Sequence, residues 1–137
     1  MPAAKRVSRF FDSNVLLYLI SKDTRKAEIA QGLLREGGTI SVQVLNEVAN
    51  VAHRKAGMAW PEIAEFLDAI RPLVVVRDVN LETHELAIKL VQRQSLGIHD
   101  AAIVAAALIA QCTELLTEDM QDGLLVNKTL RIRNPFR

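Results

Sequence analysis

Three observations predict an α/β fold. Short apolar, β-rich stretches alternate with helix-periodic ones, a Gly37–Gly38 pair separates a helical pattern from the stretch Thr39 to Val42, and single acidic residues sit at the ends of apolar segments. The 137 residues, half of them hydrophobic, suit one domain spanning residues 1–137 around a genuine core.

Taken in order, Val7 to Phe11 reads as the first strand, with NVLLYLI and AEIAQGLL as the helical segments after it. Gly37 and Gly38 then supply the left-handed stop that turns the chain into a strand over Thr39 to Val42. A long helical region follows. Within it Pro61 suits a first helical turn after Trp60, and Ile63, Phe66, Leu67 and Ile70 recur at i, i+3, i+4 and i+7, one apolar face. Leu73 to Val76 reads as a strand. Leu81 to Gln94 reads as a helix whose Leu86, Ala87, Leu90 and Val91 share a side, and Gly97 marks the next loop. Ala101 to Ala110 is hydrophobic all round, so it is expected to lie buried against the sheet. Glu114 to Thr117 supplies a further strand. Leu130 and Ile132 alternate with Arg131 and Arg133, which predicts an exposed edge strand ended by Asn134 and Pro135.

Composition excludes several classes. A single cysteine, Cys112, allows neither an intramolecular disulfide nor a cysteine-based zinc cage, and is expected in the core of a protein of the reducing cytoplasm. Lys5, Arg6 and Arg9 precede apolar residues, but Asp12, Ser13 and Asn14 interrupt what a signal peptide needs. No apolar run is long enough to span a bilayer, so a soluble chain without a membrane partner is expected. The formal charge of +1 is no polycation, although Lys5, Arg6, Arg9, Arg131, Arg133 and Arg137 gather near the termini, as a phosphate-binding surface or as ordinary solvated charge. The three histidines form no HxxxH or HExxH spacing, which leaves His99 outside any zinc site.

Four acids carry the chemistry. Asp12 follows the first strand, Glu47 sits in VLNEVANVAH, Asp100 opens DAAIVAAALIA and Asp119 follows ELLT. Each has a plain explanation: Asp12 and Asp100 as helix caps, Glu47 as a snorkelling surface residue, Asp119 as a turn acid. Ser13 and Asn14 are equally good caps, which frees Asp12 to project from the strand's carboxyl end, where open α/β sheets build their sites. Carboxylates beside apolar runs are costly to desolvate singly, but grouped around a hard divalent cation they become ligands, so a metal-dependent hydrolase is expected. Gln43 and Asn50 on Glu47's helix are placed to orient a carboxylate, and Thr117 to fix the turn of Asp119. Asp122 is a further candidate ligand, while Glu118 is left as a bystander.

The blocks FFDSNVLLY, SVQVLNEVAN, GIHDAAIVAAA, LLTEDMQDG and RIRNPF together resemble the PIN-domain nucleases, most closely the small VapC-type toxins of toxin–antitoxin pairs. The likeness spans nearly the whole chain, with the acids in the order D, E, D, D. It implies a three-layer fold, a central mostly parallel sheet of about five strands flanked by helices. It also implies an acidic Mg²⁺ site, with Mn²⁺ a plausible substitute, formed by Asp12, Glu47, Asp100 and Asp119 and supported by Asn14 and Thr117. The activity implied is hydrolysis of RNA phosphodiester bonds. The partners implied are an RNA substrate, an antitoxin protein and a second copy of the chain in a homodimer. Lys22, Arg25, Lys26 and Arg93 are placed to hold an RNA backbone, and Met58 and Trp60 either mark an interface or pack at a helix start. The alternatives are a noncatalytic PIN-like RNA-binding or interaction module and a housekeeping RNA-processing nuclease. A haloacid-dehalogenase or receiver-like site is disfavoured, because DSN lacks the paired acids those sites use.

Overall fold

The computed structural model describes residues 7–137; Lys5 and Arg6 lie outside them. Six strands and six helices follow one another as β1 (Arg9–Phe11), α1 (Ser13–Leu17), α2 (Thr24–Glu36), β2 (Gly38–Ser41), α3 (Val42–Arg54), α4 (Trp60–Ile70), β3 (Val74–Arg77), α5 (Leu81–Arg93), α6 (Ile98–Ile109), β4 (Glu114–Leu116), β5 (Leu125–Val126) and β6 (Leu130–Arg133). Short 3₁₀ turns at Tyr18–Ile20 and Arg71–Leu73 complete the set. Among the described residues no helix is long and apolar enough to cross a membrane.

The strands form one sheet in the order β3-β2-β1-β4-β6-β5, parallel throughout except for β5, which runs antiparallel to β6. From β1 the chain winds outward to β2 and β3, then returns to the other side of β1 for β4. The strand order therefore reverses between β1 and β4, the place where open α/β sheets leave a crevice beyond their carboxyl ends.

Consecutive residues of a strand point to opposite faces, yet Phe10 and Phe11 are both fully buried, as are Leu115 and, nearly so, Leu116. The sheet is thus covered on both sides, as a parallel sheet must be. Helix α6 supplies much of that cover: Ala101 and Ile103 to Ala107 are buried, which confirms the reading of its all-apolar sequence. Cys112 is buried in the same core.

The expected mostly parallel sheet is present, with six strands, the shortest of them, Leu125–Val126, too short to show a pattern in sequence. Three expectations need correction. Leu130 to Arg133 is no edge, since β6 lies between β4 and β5; its alternation reports one buried and one exposed face, not a missing neighbour. Val42 opens α3 instead of closing β2, because the buried Ser41 hydroxyl accepts from Val44 N and caps the helix. Only Gly37 takes the left-handed backbone, at φ 84°; Gly38 lies within β2, where a Cβ would meet Phe11 ring atoms at 2.6 and 2.7 Å. Gly38 is there for space, not for a turn.

Three of the four described residues of the basic terminal cluster are ion-paired. Arg9 pairs with Glu36 and Glu114, Arg133 pairs with Glu114, Arg137 stands 3.5 Å from Asp122, and Arg131 donates to the Gly123 carbonyl. This favours ion-paired surface charge over a phosphate-binding patch. Trp60 stacks on His53 with ring centroids 4.3 Å apart, so it has an intrachain partner at the start of α4.

Candidate active site

Each of the four acids reaches the site from a different segment. Asp12 stands one residue beyond β1, held by its own N–H on the Leu116 carbonyl at 3.0 Å. Glu47 is on the second turn of α3, Asp100 in the first turn of α6, and Asp119 in the loop after β4. The helix cap of α6 is Gly97, so Asp100 is not the cap; it sits where the helix dipole favours a negative charge. Asp12 itself caps α1, accepting from Ser13 N at 2.7 Å, and Ser13 and Asn14 are helical instead. Capping and site-facing roles coincide in this carboxylate, because its second oxygen is turned to Thr117.

Thr117 is the hinge pin of the arrangement. Its fully buried hydroxyl donates to Asp12 Oδ2 at 2.8 Å and accepts from Asn14 Nδ2 and from Asp119 N, both at 3.1 Å. One donor and two acceptor positions exhaust a hydroxyl, so nothing of it is left unpaired. Asn14 extends the network: its Nδ2 also donates to Asp119 Oδ2 at 3.1 Å, and its Oδ1 accepts from Glu118 N at 3.2 Å. Two strand ends are thereby fixed to each other. On the opposite wall Gln43 Nε2 donates to Glu47 Oε1 at 3.1 Å and to the His99 carbonyl at 3.3 Å, tying α3 to the start of α6.

The electrostatics record the convergence. Burial raises the Asp12 carboxyl from an ordinary 3.8 to about 6, opposed by the hydrogen bonds from Thr117 and Ser13, with the charges of Glu47 and Asp100 pushing it further up. Asp100 is raised too, first by burial, then by the charges of Asp119 and Glu47. Asp12 and Asp100 thus each feel Glu47 and one further acid of the group. Asp122 stands apart from it: its Oδ1 accepts from Asn134 N at 2.8 Å, and it lines a separate hollow with Arg9, Glu114 and Arg133.

An all-oxygen donor set of this charge fits a hard divalent cation. Among the described residues no three His, Cys, Asp or Glu side chains already stand close enough to enclose a metal.

Sequence reasoning missed one group. Glu118 is no bystander, because it accepts from Tyr18 Oη and from Lys26 Nζ, the latter at 2.6 Å, while Lys26 also donates to Tyr18 Oη at 3.0 Å. Lys26 raises the acidity of Glu118, and Glu118 in turn raises the pKa of Lys26. The spacing of TEDMQD gave no hint of it, since the partners lie about a hundred residues upstream in the chain. Arg25 donates to the Phe136 carbonyl at 2.8 Å, so of the four cations proposed to hold a backbone, Lys26 and Arg25 are committed within the chain. Arg93 lines the same hollow as Asp100 and Asp119.

A family model for the PIN domain matches residues 9–121. Among curated proteins none matches by sequence. By structure the chain is similar to a toxin–antitoxin complex from Klebsiella pneumoniae at a TM-score of 0.71 and 21% identity, covering 93% of this chain and 98% of that one. A DNA-bound VapBC from Salmonella typhimurium superposes at 0.68 with 16% identity, covering 95% and 99%. VapC20 of Mycobacterium tuberculosis, described as a toxin that cleaves the sarcin–ricin loop, superposes at 0.64 with 21% identity, covering 79% and 87%.

Proposed function

The chain belongs to the PIN-domain family, and from that premise we propose that it is a Mg²⁺-dependent ribonuclease acting as the toxin of a toxin–antitoxin pair. The observation that carries the reading is that Asp12 and Asp100, from separate segments, each lie within electrostatic reach of Glu47, with Asp119 in reach of Asp100, near the crevice where strand order reverses. Carboxylates of this group would hold the ion, directly or through its waters. When bound, Mg²⁺ supplies the positive charge that keeps them ionised and the Lewis acidity that phosphodiester hydrolysis requires.

The protein's own part is orientation. Thr117 and Ser13 N fix both oxygens of Asp12, Asn14 fixes Asp119, and Gln43 fixes Glu47, so three of the acids are aimed before any substrate arrives. Preorganisation of this kind favours charge developing at a phosphate without reorganisation during the reaction.

The similar structures include toxins in complex with their antitoxins, which supports an antitoxin partner here. A homodimer and RNA as the substrate are further parts of the proposal. The test is incubation of purified protein with structured RNA in Mg²⁺, Mn²⁺ or EDTA. Cleavage that needs the metal and disappears in folded Asp12→Asn and Asp100→Asn variants is the expected result. Cleavage retained by both variants would remove the site. Growth arrest on expression, relieved by a co-expressed small partner, separates a toxin from a housekeeping processing nuclease.

A further inference from the structure

We propose that the hollow beside the acids, between the end of α5 and the loop after β4, is a subsite for one unstacked nucleotide of single-stranded RNA next to the bond to be cut. The proposal rests on the nuclease reading of the same site. Asp100 and Asp119 form one wall of this hollow, so whatever occupies it lies against the acidic group. Its volume of about 330 Å³ falls at the small end of ligand sites and suits a single nucleotide unit.

The lining has the chemistry of a nucleotide. Leu96, Met120 and Leu124 form the apolar part of the lining, and with no aromatic ring among the described lining residues the face of a base would rest on these aliphatic side chains. Gln94 and Gln121 bring side-chain amides, each offering both a donor and an acceptor, which is what recognition of a base edge needs. Arg93 is the only cation of the lining among the described residues. It makes no ion pair among them, although two carboxylates share its hollow. A guanidinium held near, but not on, a cluster of carboxylates is placed to receive a phosphate that the cluster alone would repel. Apolar floor, two amides and one unpaired guanidinium thus divide among base face, base edge and backbone.

The test measures anisotropy of fluorescein-labelled hexaribonucleotides of A, C, G or U, with Ca²⁺ in place of Mg²⁺ so that binding is read independently of cleavage. Wild type is expected to discriminate among the four. Arg93→Gln should weaken all four by a similar factor, roughly three- to tenfold, and reduce the slope of log affinity against log salt by about 0.7, the loss of one phosphate contact on a single strand. The double variant Gln94→Ala/Gln121→Ala should compress the differences among the four. Circular dichroism checks that each variant folds. The subsite is overturned if wild type binds none of the four, or if both variants bind every oligonucleotide as wild type does. Wild-type binding with this pattern but without cleavage in Mg²⁺ would sink the nuclease reading and leave the subsite standing.

Discussion

Replacing Asp12 by Asn should make the metal-free protein more stable at neutral pH while abolishing activity. Asp12 is buried, and its carboxyl is raised from 3.8 to about 6. A group whose proton affinity is higher in the folded state contributes stability that is full below its unfolded value and is lost as pH rises through its folded value. The window here runs from about pH 4 to about pH 6. At about 1.36 kcal/mol for each tenfold change in proton affinity, the ionised Asp12 costs the fold about 3 kcal/mol above that window. An Asn side chain removes the charge but cannot accept from both Ser13 N and the Thr117 hydroxyl through two oxygens, which returns about 1–1.5 kcal/mol. The net expectation is a gain of about 1–2 kcal/mol at about pH 8 in EDTA. On going to about pH 4 the difference should move by roughly 2–2.5 kcal/mol toward wild type, which cancels or reverses the advantage. Carboxylates other than Asp12 titrate in both proteins and largely cancel in that difference. Urea unfolding of both proteins at the two pH values measures it. A variant less stable than wild type at pH 8 without metal would refute the claim that this carboxylate is held against its own electrostatic preference.

Adding Mg²⁺ should raise the wild-type Tm and leave Asp12→Asn nearly unmoved, since only a folded site with its charge gains from binding; equal shifts in a thermal melt would count against Asp12 as a ligand. Thr117→Val should cost about 1–3 kcal/mol in urea unfolding, because Asp119 N and the Asn14 amide lose a shared acceptor. Gly38→Ala should destabilise by about 1–3 kcal/mol through overlap with the Phe11 ring, and a smaller residue at Phe11 should recover part of the loss; a neutral effect would show that β2 shifts freely. Glu118→Gln should loosen the loop bearing Asp119, read as broadened amide resonances over Glu118 to Met120, with no change at Glu47; an unchanged spectrum would make the Tyr18–Lys26–Glu118 contact incidental.

Much of this was legible in the sequence because hydrophobic period reports burial directly. The all-apolar Ala101–Ala110 run, the spaced Ile63 to Ile70 face and the punctuation at Gly37, Pro61 and Gly97 each named an element that exists. What stayed hidden depends on neighbours instead of period. Alternation at Leu130 to Arg133 could not say that β5 would pair along its outer side. Gly38 looked like a turn residue because the Phe11 ring that demands its small size is far away in sequence. The acids themselves stood out for being isolated at the ends of apolar segments. Asn14, Thr117 and Gln43 were legible beside them as supports, but the Tyr18–Lys26–Glu118 group was not, since Tyr18 reaches Glu118 only after the sheet has formed. Ser13 and Asn14 looked like equally good caps because cap preference is local, whereas the strand end fixes that Asp12 comes first.

The placing of Asp12 just past the middle strand has a consequence for how the protein fails. Its N–H is anchored to β4 through Leu116, and Thr117 N is anchored in turn to the Arg133 carbonyl of β6. Freeing these side chains from one another means parting the innermost ladders, which in a domain of this size open only with the whole structure. As denaturant rises, the carboxylate constellation should therefore persist until the molecule melts, with no earlier stage in which the chain is folded but blunted. A partner that silences such a protein by covering the crevice would leave these ladders as they are.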